Sequence, residues 1–191
     1  MIEPQQLWKD FCSAVSYQLQ AASTEELTAA WKTHTQRTLF YREHILARVA
    51  ESLGYDFDTE LFKVDFAMWT RDTEPKVPII FVESENQANT ANHEVCKLIS
   101  LSAPLRVLIS VIEWDETPGV WQSGGMRRHL LSQWQKTIGA YSRIWPRTGL
   151  FGLLIGEWRR DDVLRFYANA VDGTSALFAP EDMILLERQM R

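Results

Sequence analysis

The chain of 191 residues reads as an α/β protein, bordering on α+β, with a central mixed sheet flanked by helices. Three observations predict this class. The first 54 residues carry apolar side chains at helical spacing and no extended run. After Gly54 the pattern turns to short apolar strands. The strand–helix–strand unit over 77–112 implies a parallel pair with a right-handed crossover, and antiparallel neighbours on both sides make the sheet mixed. One domain, 1–191, follows, with a helical N-terminal part at 1–54 and a mixed-sheet core at 55–191.

The elements follow in order. Leu7, Trp8, Phe11, Val15 and Leu19 mark an amphipathic helix over 4–22. Ser23, with Glu26 three residues on, is a capping box opening a helix to about Lys32. A further helix over 35–53 ends at Gly54 as its C′ residue. Residues 60–69 alternate as a strand, with Phe62, Val64, Phe66 and Met68 on one face and Lys63, Asp65 and Ala67 on the other. Residues 77–85 are nearly all apolar until they end in carboxylates, as suits a central strand buried on both faces. A helix over 93–101, stopped by Pro104, leads to a buried strand over 105–112. A glycine-containing loop and a helix over 126–144 come next. Strands at 150–158 and 163–171 are joined by a charged turn, and 181–190 reads as a short last helix. Gly152 and Gly156 inside a strand signal close packing or a bulge.

Composition narrows the class. Apolar residues at 46% and charged residues at 24% are ordinary for a globular chain, and the length suffices to bury a core without disulfides or metal. Disorder, collagen-like repeats and a disulfide scaffold are thereby excluded. No apolar window is long enough to span a membrane, and the first residues show no secretory signal. Cys12 and Cys96 stand alone, with no zinc spacing, so a reducing cytoplasm is the expected location. The net charge of −5 is uneven: residues 1–119 hold 10 Lys/Arg against 18 Asp/Glu, whereas 120–165 hold 8 against 3. A basic surface beside an acidic site is one reading, and solvated helix faces are the other.

No P-loop, Rossmann fingerprint or G-x-S-x-G elbow occurs. The histidines His34, His44, His93 and His129 form no HExxH or HxH pattern. What remains is acidic. Glu83 and Glu85 end a buried strand two residues apart, hence on one face, preceded there by Ile79 and Phe81. If strand 60–69 pairs with it, Asp65 comes alongside. Carboxylates converging at a sheet edge repel, and a hard divalent cation relieves that cost. Mg²⁺, or Mn²⁺ in its place, keeps waters and can stabilise charge on a phosphoryl group.

At these residues the chain resembles the PD-(D/E)xK nuclease superfamily, the restriction-endonuclease-like fold. Val64-Asp65, a turn, Ile80-Phe81-Val82-Glu83-Ser84-Glu85, then a helix and a strand, carry the resemblance over roughly 36–112. It implies a nuclease core with an N-terminal helical extension. It also implies Asp65 as the metal-binding acid, Glu83 as the second acid and Glu85 at the position of the family's Lys. Val64 stands where the family has Pro. Glu85 in place of Lys gives ExE, as in some restriction enzymes. In other members the Lys has moved to the following helix, where Lys97 is the candidate, sharing a helical face with Glu94. Glu43 or Glu51 matches a place where some members supply another metal carboxylate.

Trp121 to His129 reads as a loop with Gly124 and Gly125 leading into a helix N-terminus, where backbone N–H groups favour an anion. Arg127, Arg128 and, further along, Lys136 are the candidate nucleic-acid contacts. Trp134, Ile138, Tyr141 and Trp145 form an apolar helical stripe and are expected in the core.

The expectation is a Mg-dependent endonuclease. Asp65, Glu83 and Glu85 hold the metal, Glu85 doubles as general base, and Lys97 touches the phosphate. Its partner is nucleic acid, DNA first, with no membrane and with a homodimer left open. The alternative is a catalytically degenerate nuclease-fold module that binds nucleic acid or protein. A small-molecule enzyme or sensor using the acidic cluster is a third reading.

Overall fold

In the computed structural model, residues 2–113, 126–173 and 177–191 are described, with the side chains of 113 and 177–182 left aside. Helix α1 (Pro4–Ala21) starts with proline in its first turn, and the Glu3 carboxylate accepts from Gln6 N. Helix α2 (Thr24–Lys32) opens on the full Ser23/Glu26 capping box. The helix expected over 35–53 is composite: α3 (His34–Phe40), a π-helical stretch Tyr41–Leu46, and α4 (Ala47–Ser52). Gly54 follows at φ 75°, the left-handed conformation that only glycine adopts cheaply.

Seven strands form one sheet in chain order: β1 (Tyr55–Thr59), β2 (Phe66–Thr70), β3 (Pro78–Glu85), β4 (Leu105–Glu113), β5 (Leu150–Trp158), β6 (Val163–Val171) and β7 (Leu177–Gln189). The β3–β4 and β4–β5 pairs are parallel and all others antiparallel, so the sheet is mixed as expected. Helix α5 (Asn92–Ser100) connects β3 to β4, and α6 (Met126–Ile144) lies between β4 and β5. Two right-handed crossovers stepping the same way across a sheet place both helices on one face. Val95, Leu98, Leu130 and Trp134 indeed pack there with Phe81, Leu108 and Leu153. The N-terminal helices cover the other face, where Trp8, Phe11 and Leu46 meet Val82, Val107 and Leu154.

Three expectations are corrected. The strand drawn over 60–69 is a hairpin turn and a shorter strand: β1 and β2 pair from Tyr55↔Thr70 to Thr59↔Phe66, and residues 60–65 are the loop. Phe62 therefore leaves the face of Phe66 and Met68 and is 63% exposed. The last helix, 181–190, is instead part of β7. A bulge near Tyr167 brings Leu185 and Leu186 inward together, which hides the period-two alternation, and the open edge of β6 is filled by a strand. The stripe on α6 is core only in part: Trp134 and Ile138 are buried, whereas Tyr141 and Trp145 are exposed beyond the end of the sheet contact.

Ser16 Oγ donates to Leu185 O at 2.7 Å, so α1 satisfies a carbonyl of edge strand β7 at its bulge. The two glycines of β5 mark close packing. A Cβ on Gly152 would lie 2.4 Å from Trp8 Cζ3, and one on Gly156 would lie 2.9 Å from a carbon of Trp31. Gly152→Ala should therefore destabilise the fold by about 1–3 kcal/mol, the cost of overpacking a filled core. Urea denaturation measures it, and a midpoint equal to the wild type would show that the Trp8 ring moves aside freely.

Candidate active site at the carboxyl end of the sheet

Asp65, Glu83, Glu94 and Lys97 come together where β3 ends. Asp65, the last residue of the β1–β2 loop, is in phase with Ala67 and Trp69, which pack on the α5/α6 face. Glu83 and Glu85 are in phase with Phe81 on that same face. The sequence pattern places Ile79 on this face ahead of Phe81. Instead the β2–β3 register shifts at Met68/Trp69, and Ile79 joins the opposite cluster.

Glu83 is 2% exposed. The ammonium of Lys97 lies 2.6 Å from Glu83 Oε1 and 2.6 Å from Glu94 Oε2, and it donates to the Lys63 carbonyl at 3.0 Å. Helix α5 fixes this placement. Its buried side, Val95, Leu98 and Ile99, sets the helix on the sheet, and Glu94 and Lys97, three apart, flank that side. Lys97 thus turns back onto the strand end rather than resting in solvent with Glu94 alone. Asp65 Oδ2 accepts from Ser84 N at 2.8 Å, which pins the loop to the backbone between the two glutamates. Glu85 behaves differently: its Oε1 accepts from Gln87 N at 2.6 Å, turned to the following loop.

Burial pushes the Glu83 carboxyl up to about 8, with the nearby Asp65 and Glu94 charges adding to the rise and Lys97 opposing it. Hydrogen bonds to Glu83 and Glu94 raise Lys97 against the opposing effect of its own burial. Among the described residues, no group of three or more His, Cys, Asp or Glu side chains is arranged to hold a metal ion. The structure therefore brings Asp65, Glu83 and Lys97 together on one face, while Glu85 stands two residues along with its carboxylate engaged elsewhere.

The remaining candidates are more scattered. Glu43 pairs with Arg42 at 2.7 Å and lines a depression with Glu26 and His44 in the N-terminal helical layer. Glu51 is exposed on α4. Arg127 sits over the Tyr167 ring at 4.1 Å, half-buried, while Arg128 and Lys136 are exposed on α6. The loop carrying Gly124 and Gly125 lies outside the described residues.

Two further polar groups on this sheet face went unread in the sequence. Ser110, in register with Glu85 on β4, is buried and donates to Glu85 O at 3.1 Å. Glu157 on β5 is buried and accepts from the Tyr167 hydroxyl at 2.9 Å, and burial raises its carboxyl as well. The available signal was a lone carboxylate inside the apolar run of β5. No family model matches the chain, and no curated protein matches it.

The raised Glu83 carboxyl gives a pH dependence with a definite sign. Between the ordinary value of 4.5 and about 8, the folded chain holds a proton that the unfolded chain has lost. Stability from this group is complete below that window and falls as pH rises through it. Glu83→Gln, which cannot ionise, should flatten the fall. Urea denaturation from pH 5 to 9 tests this, and parallel wild-type and variant curves would exclude Glu83 as its source.

Proposed function

We propose that the chain is a metal-dependent nuclease that hydrolyses phosphodiester bonds, with DNA as the first expected substrate. The observation that carries the reading is the Lys97 ammonium 2.6 Å from the buried Glu83 carboxylate. It lies on the face shared with Asp65, at the carboxyl end of a strand in a parallel crossover, where α/β sheets place their ligands.

The donor set fits Mg²⁺ or Mn²⁺. Such ions bind through one or two carboxylates and retain waters; Asp65 and Glu83 would be those carboxylates, Glu83 giving up its proton and its Lys97 contact to bind. The ion would contribute a water of lowered pKa and stabilisation of phosphoryl charge. The chain's own groups do the rest. The Ser84 N–H orients Asp65. Glu85, once released from Gln87 N, is the carboxylate two residues along the same face that can take the proton of the attacking water. Lys97 supplies the fixed positive charge, because a carboxylate at the family's Lys position would repel the phosphoryl oxygens. Arg128 and Lys136, exposed on α6, are available to a phosphate backbone, whereas Arg127 is stacked on Tyr167. Among the described residues no helix is long and apolar enough to cross a membrane, and the partner under this reading is nucleic acid in the cytoplasm.

One observation favours a second reading, a degenerate module that binds nucleic acid or protein without cleaving. The Lys97 ammonium is already in contact with the Glu83 and Glu94 carboxyl groups and donates to the Lys63 carbonyl, so the cation that would meet a phosphate is engaged within the chain. Calorimetric titration with Mn²⁺ and Mg²⁺ separates the two readings. A nuclease binds the cation, loses it in Asp65→Asn, and cleaves plasmid or oligonucleotide. Glu85→Ala then abolishes turnover and Lys97→Ala lowers it at least roughly 100-fold, the effect of one lost charge-stabilising donor. Nucleic-acid binding with neither cation uptake nor cleavage would establish the module instead.

A further inference from the structure

The loop 60–65 is backbone-strained beside this cluster. Glu60, Phe62 and Lys63 have φ of 58°, 55° and 60°. Left-handed conformations are costly for residues with a Cβ, and for a bulky one such as Phe they are outliers. The loop is held shut by Glu60 N donating to Asp65 O at 3.1 Å and Val64 N donating to Leu61 O at 3.0 Å. Lys97 holds it from the other side through the Lys63 carbonyl. The outcome is costly twice over, since it also puts a large aromatic into solvent: Phe62 is 63% exposed. Its ring is not adrift. It rests on an aromatic base, 6.0 Å from Trp69 and 6.4 Å from Phe81 between centroids, and leaves its outer surface open. Lys63, the next residue, is exposed, and Asp65 is two residues further on.

An outward aromatic backed by two others, followed by a cation, offers a π surface for a base and a charge for its phosphate. We infer that Phe62 and Lys63 are substrate contacts of the nuclease site, with Phe62 stacking on a nucleobase next to the cleaved phosphodiester and Lys63 meeting the adjoining phosphate. The inference rests on the nuclease reading and adds a substrate class. A base inside a closed duplex presents no face to a side chain, so the preferred substrate is single-stranded or splayed nucleic acid. The strain has a role under this account: it points the ring outward, where packing alone would turn it in.

The test is fluorescence anisotropy in EDTA, where cleavage is halted. Wild type and variants are titrated with a labelled single strand, a splayed fork and a blunt duplex of the same sequence. Wild type should bind the single strand and the fork more tightly than the blunt duplex. Phe62→Ala should weaken single-strand binding about 5- to 150-fold, the range of one lost base–aromatic stack. Phe62→Trp should restore it. Lys63→Gln should weaken binding to all three and lower the salt slope by about one. Phe62→Gly provides the check on folding, because glycine accepts the left-handed φ without strain. It should unfold at or near the wild-type midpoint yet lose the same affinity as Phe62→Ala. Unchanged single-strand affinity in both Phe62 variants, or a wild-type preference for the blunt duplex, overturns the inference. If wild type still cleaves with Mn²⁺ in that case, the nuclease reading stands without it. If wild type neither binds nor cleaves any of the three, both fall.

Discussion

The hand of two crossovers sets the layout of the molecule. β3, β4 and β5 are parallel and successive, so each return passes over the sheet in the same sense and on the same side. That places α5 and α6 together and leaves the opposite face bare. The 54 residues before β1 fill it: α1 to α4 bury Trp8, Phe11, Leu27 and Leu46 against strands that would otherwise face water. The helical N-terminal part is therefore half of the core and not an appendage. The crossovers also bring the carboxyl ends of three strands to one edge, where Glu83, Glu85, Ser110 and Glu157 lie on the α5/α6 face.

A carboxylate 2% exposed at such a place opposes stability. Replacing a buried ion pair by apolar residues is often neutral or stabilising, whereas removing one partner costs about 3–5 kcal/mol. Lys97 offsets part of the cost of Glu83, and the proton held up to about pH 8 offsets more. An apolar residue would suit the position better if packing were the only demand. The same holds for Glu157, buried against the Tyr167 hydroxyl in a strand otherwise apolar. Two buried acids at one end of one face are thus a feature that packing by itself does not account for.

Much of this was legible in the sequence. The periodicity of Leu7 to Leu19, the Ser23/Glu26 box and Gly54 located three helix boundaries, because caps and apolar stripes are local signals. The parallel unit followed from chain order alone. Lys97 was a candidate through the family resemblance, and its spacing with Glu94 was legible as a helical pair, whereas its contacts with Glu83 and the Lys63 carbonyl depend on how α5 sits on the sheet. Several of the illegible parts share one cause, a break in period. The β7 bulge puts two leucines inward in succession, the β3 irregularity turns Ile79 and Ile80 to one side, and the π-helical stretch interrupts α3 and α4. Residues 60–65 alternate well enough to mimic a strand, and only the pairing of Thr59 with Phe66 shows that they form a loop.

That loop and the charge cluster constrain each other. The Lys97 ammonium sits between the strand end, its own helix and the loop, ion-paired with Glu83 and Glu94 and hydrogen-bonded to the Lys63 carbonyl. The bond to the Lys63 carbonyl is part of what keeps three left-handed residues in place, since such conformations persist only when their surroundings over-determine them. Asp65 closes the same circuit through Ser84 N, from the loop back to the strand that carries Glu83. A group that drew Lys97 toward itself would therefore loosen the loop in the same motion. A group that settled between Asp65 and Glu83 would compete with Lys97 for the buried carboxylate. Charge, strain and loop position at this edge form one coupled arrangement, and no member of it can be changed without altering the electrostatics or the backbone of the others.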